Sequence, residues 1–289
     1  MRILLHYQQE LLLNKQYTIG DTDTATNLMV TKIQQWLYLW GAQNPTKALM
    51  TGIDGIFGSA TQQCVKNFQQ LVNLPVNGIV DTLTFYELTK NLNLAFTNAV
   101  QIPDVQQGVI RVAAQHCSYN VREIQQIVKG VFVGNLGPWV RSYCGGNQGN
   151  SYPWCMGFVQ TIFDQACDMA GAQYTHYMPQ TLDCDTVADY AIRKGKLLRN
   201  TNGELAANIN LIKPGDIFLY YSENPNVQWH HTGIIISIQG NIVTTTEGNA
   251  NPNSDSDNGI GVFTEVKDIT TRSKSADGFL NYYEVFSIF

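Results

Sequence analysis

The sequence predicts an α+β protein: a small three-helix unit, then further helices packed on an antiparallel sheet. Three observations carry this. The frame D/N-G-I-x-x-x-x-T occurs twice, as DGIFGSAT (54–61) and NGIVDTLT (77–84), each time followed by a helical pattern. Apolar residues then recur at helical spacing between about 107 and 198. Beyond residue 215 the pattern changes to β-branched runs bounded by Gly, Asn and Asp. Helices first and antiparallel strands after them define the class. The 289-residue length suits about two domains of roughly 150 residues each.

In chain order, Val30, Ile33, Leu37 and Trp40 predict a helix ended by Gly41. Ala60, Cys64, Val65, Phe68 and Leu71 predict a second, and Leu83, Phe85 and Leu88 a third. The Asp-Gly and Asn-Gly dipeptides are turn formers, and the Ser or Asp after them can cap the helix that follows. Residues 91–106 have weak periodicity and read as a linker. Val109, Val112, Ala113 and His116 mark a helix at about 107–119, and VREIQQIVKGVFVG is a second apolar stretch. Residues 135–154 are dense in Gly, Asn and Pro and read largely as loop. Phe158, Ile162, Phe163 and Ala166 predict a helix over 155–169, entered through Pro153. A short helix follows at 184–198. Strands are predicted at 215–221, 230–239, 241–249 and 259–266.

Composition excludes several classes of function. The formal charge of −5, without any basic run, argues against nucleic acid as a partner. No apolar stretch approaches the length of a transmembrane helix, which argues against a membrane partner. MRILLHYQQELLLNKQ is a poor signal peptide, because polar residues interrupt its leucines. The six cysteines show no CxxC pair and no zinc-ligand spacing, so neither metal nor cofactor is expected. NPNSDSDNG (251–259) has one residue too many for a calcium loop and no Glu at its last position, and reads as a solvated turn.

Cys155 stands in the first turn of its helix, where orphan N–H groups and the positive end of the dipole favour a thiolate. Alone, such a cysteine is more simply a small buried hydrophobe. A nucleophile also needs an imidazole, and the imidazole an orienting group. Of the histidines at 6, 116, 176, 230 and 231, only His230 and His231 lie on a strong strand. If Ile238 faces Ile242 across the QGN turn, His231 faces Asn249, with Glu247 one pair away on the same face. A two-residue turn would shift that register by one.

Two resemblances follow. TKIQQWLYLWGA…DGIFGSATQQCVKNFQQLVNLPVNGIVDTLTFYEL is similar to the peptidoglycan-binding domain of cell-wall hydrolases, with Phe68-Gln69 as its Phe-Gln pair. Asn77 and Asp81 depart from the pattern, where the family has Asp and Gly. YPWCMGFVQTIFDQA, KPGDIFLYY, HTGIIISI and TTEGN resemble the CHAP-type, papain-like cysteine amidases and endopeptidases. Met156 departs there, standing where that family has Ala.

The resemblances imply a peptidoglycan-binding domain at 1–95, a linker at 96–107 and a CHAP-type hydrolase domain at 108–289. They imply Cys155 as nucleophile and His231 as base, since His231 alone precedes Thr-Gly, with Glu247 or Asn249 as orienters. Trp154 and Tyr152 beside the cysteine, and Asp54 and Phe57 in the first repeat, are the expected substrate contacts. Tyr152 or Asn150 is the expected second oxyanion donor, after the Cys155 N–H. The implied activity is cleavage of a wall-peptide amide, as a muramoyl-alanine amidase or a stem endopeptidase. With no Sec signal, such a protein is expected to reach the wall as a phage endolysin or as an injected effector, the latter with an immunity protein as a further partner. The alternative is a non-catalytic wall-binding protein with a decayed hydrolase fold.

Overall fold

The computed structural model describes residues 5–97, 102–226, 228–252 and 258–289. It begins with a short helix α1 (Tyr7–Glu10), then α2 (Met29–Gln43), α3 (Ser59–Leu71) and α4 (Thr82–Thr97). Gly41 does not end α2. A Cβ there would sit 2.3 Å from Met50 Cγ, so the glycine lets the following segment pass against the helix.

The repeat is built around two buried glutamines. Gln34 donates to the Asp54 carboxylate, the Ile56 carbonyl and Thr61 Oγ1, and accepts from the Asp54 and Gly55 N–H groups. Gln69 repeats this bond for bond with Asn77, Ile79, Thr84 and Gly78. In each turn the Asp54 or Asn77 side chain also accepts from the N–H two residues on, at 2.9 Å. The D/N-G-I frame and its distant Thr are therefore the partners of one buried amide. Asp81 caps α4 through the Thr84 N–H (2.8 Å), whereas α3 follows Gly58 with no side-chain cap.

After the fourth helix come α5 (Val105–Ser118), a hairpin of β1 (Ile124–Val128) and β2 (Val131–Leu136), and α6 (Pro138–Tyr143). Next are α7 (Cys155–Ala170), α8 (Cys184–Arg193) and β3 (Leu197–Leu198). The chain closes with β4 (Ile217–Ser222), β5 (Trp229–Gln239), β6 (Ile242–Ala250), β7 (Gly261–Asp268), β8 (Arg272–Lys274) and β9 (Leu280–Phe286). The main sheet is antiparallel in the order β3-β9-β4-β5-β6-β7, with β8 paired to β9. α7 lies across β5 and β6, and α5 packs on α7.

Three expectations need correction. The linker reading fails over 91–97, because these residues complete α4, where Leu92, Ala95 and Phe96 are buried. Of the remainder, 98–101 lie outside the described residues, as do Asn253, Asp255 and Asp257 of the acidic turn. Residues 135–154 are not all loop, since Pro138 opens α6 and all six of its residues are buried. Nor are the halves joined only by a tether: one hydrophobic core runs through both. Across the junction Phe96 meets His116 edge-on at 4.9 Å, Trp36 meets Trp139 edge-on at 6.4 Å, and Gln165 donates to the Ala95 carbonyl at 3.1 Å.

Candidate functional site

α7 carries Cys155 in its first turn, buried at 3% exposure. His231 comes from β5 and Glu247 from β6, at 3% and 2%. His231 Nε2 and Glu247 Oε2 are 2.9 Å apart. Nδ1 is buried and makes no such bond, and Cys155 is close enough that each group stabilises the other's charge.

The register that assembles this pair has a specific cause. β5 and β6 turn through Gly240 and Asn241, so Gln239 pairs with Ile242 and Ile238 with Val243, one residue off the expected pairing. A bulge between Ile235 and Ser237 then restores the expected offset, giving Ile234 opposite Thr246. Continued along the strands, that offset sets Gly233 against Glu247, where a Cβ would lie 2.6 Å from Glu247 Cγ. Gly248 is required for a different contact: a Cβ there would lie 2.5 Å from Phe158 Cβ on α7.

The imidazole's partner is thus the carboxylate. Asn249 is fully buried where the β6–β7 register breaks, with φ 56°, a left-handed conformation that Asn tolerates. Its carbonyl accepts from the Gly259 N–H at 2.8 Å.

Sequence reasoning missed three members of the site. Cys184, 6% exposed in the first turn of α8, hydrogen-bonds Cys155. Its only sequence signal is the one shared with Cys155, a cysteine at a helix start. Lys267 on β7 forms an ion pair with Glu247 Oε1, and Thr245 donates to the same oxygen. Thr245 was findable by strand alternation, two residues from Glu247 on one face.

The electrostatics follow from these contacts. The hydrogen bond from Cys184 is the largest influence on the Cys155 thiol. With help from His231 and the Met156 N–H it overcomes burial and holds the pKa well below the ordinary thiol value. Cys184 is driven the opposite way by the same bond and by burial. Burial works to lower the pKa of His231, but Cys155 and Glu247 together raise it to about 9. Burial works to raise Glu247, but its bond to His231 and the charges of Lys267 and His231 bring it to about 2. The favoured state is a thiolate beside an imidazolium, with the imidazolium backed by a carboxylate. A thiolate so placed can attack a carbonyl carbon, and the imidazolium can protonate a leaving amine.

The remaining predicted residues lie elsewhere. Trp154 is fully buried, stacks on Tyr143 at 5.7 Å and donates to Glu123 Oε2 at 2.9 Å, which removes its ring from the reach of a substrate. Tyr152 is half-buried beside it. Asn150 donates to the Phe132 carbonyl and accepts from the Gly134 N–H, pinning its loop to β2 rather than offering a free donor. Met156 is fully buried, its sulfur 4.0 Å from Gln160 Nε2. Phe57 is a core residue, and the exposed Asp54 has its carboxylate committed to Gln34 and Ile56. All six cysteines are free thiols. Among the described residues no cluster could hold a metal, and no helix is long and apolar enough to cross a membrane.

Residues 26–88 match the family model of the peptidoglycan-binding domain. The matched segment contains α2, α3 and both turn-plus-helix units, and it associates the chain with the cell wall. No curated protein and no solved structure matches the chain.

Proposed function

We propose that the chain is a peptidoglycan hydrolase that cuts an amide of the wall peptide through Cys155. The observation that carries this reading is the convergence of Cys155, His231 and Glu247 from α7, β5 and β6, with charges matched for nucleophilic attack. The likeness of its sequence motifs to CHAP-type, papain-like enzymes adds to it, and the wall-binding match supplies the polymer.

In the proposed reaction the Cys155 thiolate attacks the amide carbonyl and a C–S bond forms. The tetrahedral oxyanion is held by first-turn N–H groups of α7. The C–N bond breaks as His231 gives its proton to the leaving amine. A water, deprotonated by His231, then attacks the thioester and releases the carboxylic acid, restoring the thiolate–imidazolium pair. Glu247 holds the imidazole in register throughout. Delivery is proposed to be that of an endolysin or an injected effector, the latter paired with an immunity protein.

The second reading is a wall-binding protein that no longer cleaves, favoured by the near-complete burial of Cys155. Dye release from purified wall separates the two. Wild type is expected to release dye, and Cys155→Ala to release none while still sedimenting with wall. His231→Ala should be nearly inactive, and His230→Ala should keep more activity, since only His231 bonds the Glu247 carboxylate. Release by Cys155→Ala equal to wild type would end the cysteine mechanism.

A further inference from the structure

An open cleft of about 400 Å³ is lined by Phe132, Asn135, Asn150, Pro153, His230 and Asn258. Pro153 lies two residues before Cys155, so the cleft is reached from the loop that enters α7.

Asn135 marks it as a binding site. The residue is 3% exposed, yet its Oδ1 has no hydrogen-bond partner. Its backbone is held in a left-handed conformation, φ 54°. The Gly149 N–H donates to its carbonyl at 2.7 Å, and the Glu123 carboxylate accepts from its N–H. A buried amide oxygen without a donor costs about 1–3 kcal/mol. Here the backbone is tied on both sides, so the side chain is kept at the cleft despite that cost. What it lacks is a ligand N–H or O–H.

The lining selects the ligand. Among the described residues it holds no Lys, Arg, Asp or Glu. A stem peptide carries free carboxylates, whose desolvation calls for charged partners. An N-acetylated pyranose is neutral, offers a C–H face to an aromatic ring, and has amide and hydroxyl donors at its rim. Phe132 is 52% exposed on β2 and presents such a ring, and Asn150 fixes its position by accepting from Gly134 and donating to the Phe132 carbonyl.

We infer that this cleft is a subsite for an N-acetylated sugar of the wall glycan, stacked on Phe132 and donating to Asn135. On the hydrolase reading, on which this rests, the amide cut is then the one that joins glycan to stem peptide.

The test uses the full-length Cys155→Ala protein, titrated calorimetrically with a GlcNAc–MurNAc dipeptide and, separately, with a sugar-free stem tetrapeptide. The first should bind and the second should not at the same concentrations. Phe132→Ala, which removes an exposed ring, should weaken binding about tenfold with an unchanged melting curve, and Asn135→Gly, which tolerates the positive φ, should weaken binding by a similar factor. Equal binding of the stem peptide, or undiminished disaccharide binding by Phe132→Ala, would overturn the subsite. So would mass spectra of wild-type digests in which shortened stems remain attached to glycan. Disaccharide bound through Phe132 with no cleavage by wild type would instead overturn the hydrolase reading and leave the subsite standing.

Discussion

Cys184 does for Cys155 what a second hydrogen-bond donor does for any buried anion: it stabilises the thiolate without adding charge. The consequence is a pH window. The thiolate persists above the depressed Cys155 pKa, and the imidazolium is lost as pH rises through about 9. Groups facing the pair are Cys184 from α8, Glu247 from β6 and, behind Glu247, Lys267 from β7. Alkylation of Cys155 by iodoacetamide should therefore reach its plateau at a pH well below that of an ordinary thiol, and wall hydrolysis should fall above about pH 9. Cys184→Ala removes the largest cause of the Cys155 shift, so its acid limb moves to higher pH, read as a shift in the midpoint of the alkylation–pH profile. Glu247→Gln lowers the His231 pKa, and the alkaline limb moves down. An unchanged acid limb in Cys184→Ala would show that the thiol pair has no electrostatic role.

At the scale of elements, the two glutamines make a quantitative statement. Gln34 lies 20 residues before its turn and Gln69 only 8 before its own, yet their hydrogen bonds agree partner for partner. Gln34→Leu and Gln69→Leu each leave a buried glycine N–H, Gly55 or Gly78, without its acceptor, and each is expected to cost about 1–3 kcal/mol in urea unfolding. The two costs should agree within about 1 kcal/mol. A large cost at one glutamine with none at the other would mean that the repeat is one of sequence only. This repeat also marks the limit of what the sequence made legible. D-G-I-x-x-x-x-T was visible because turn chemistry is local. The glutamines were not, because a variable spacing hides a shared partner. The site divides in the same way. Cys155, His231 and Glu247 were legible from a helix start and strand alternation. Cys184 and Lys267 were not, because neither local rule reaches across from α8 or β7. The β5 bulge was invisible too, and the register at the site agreed with expectation only because the bulge offset a turn one residue shorter than assumed.

The whole molecule is where expectation and structure part furthest. A wall-binding half ending near residue 95 predicts two folding units, each with its own core. The structure has instead a buried ion pair across that boundary. Arg141 on α6 donates to both carboxylate oxygens of Glu10 on α1, at 2.9 and 2.7 Å, and to Gln35 on α2 at 2.9 Å. The two charged side chains are 10% and 4% exposed. Cutting the chain after residue 100 would leave Arg141 without its carboxylate and uncover Trp36, Phe96 and Trp139 together. We expect full-length protein to unfold in one calorimetric transition, and fragments 1–100 and 101–289 to be poorly folded apart. Glu10→Gln tests the same coupling without cutting. It keeps the shape but leaves a buried cation facing a neutral amide, and removal of one partner of such a pair costs about 3–5 kcal/mol. That cost should appear as a lower midpoint for the whole protein, read equally by near-ultraviolet dichroism of the aromatic core and by loss of protection in the β4–β6 amides. Two separated transitions, with only the first moved by Glu10→Gln, would show that the halves fold independently and that the shared core contributes little to joining them.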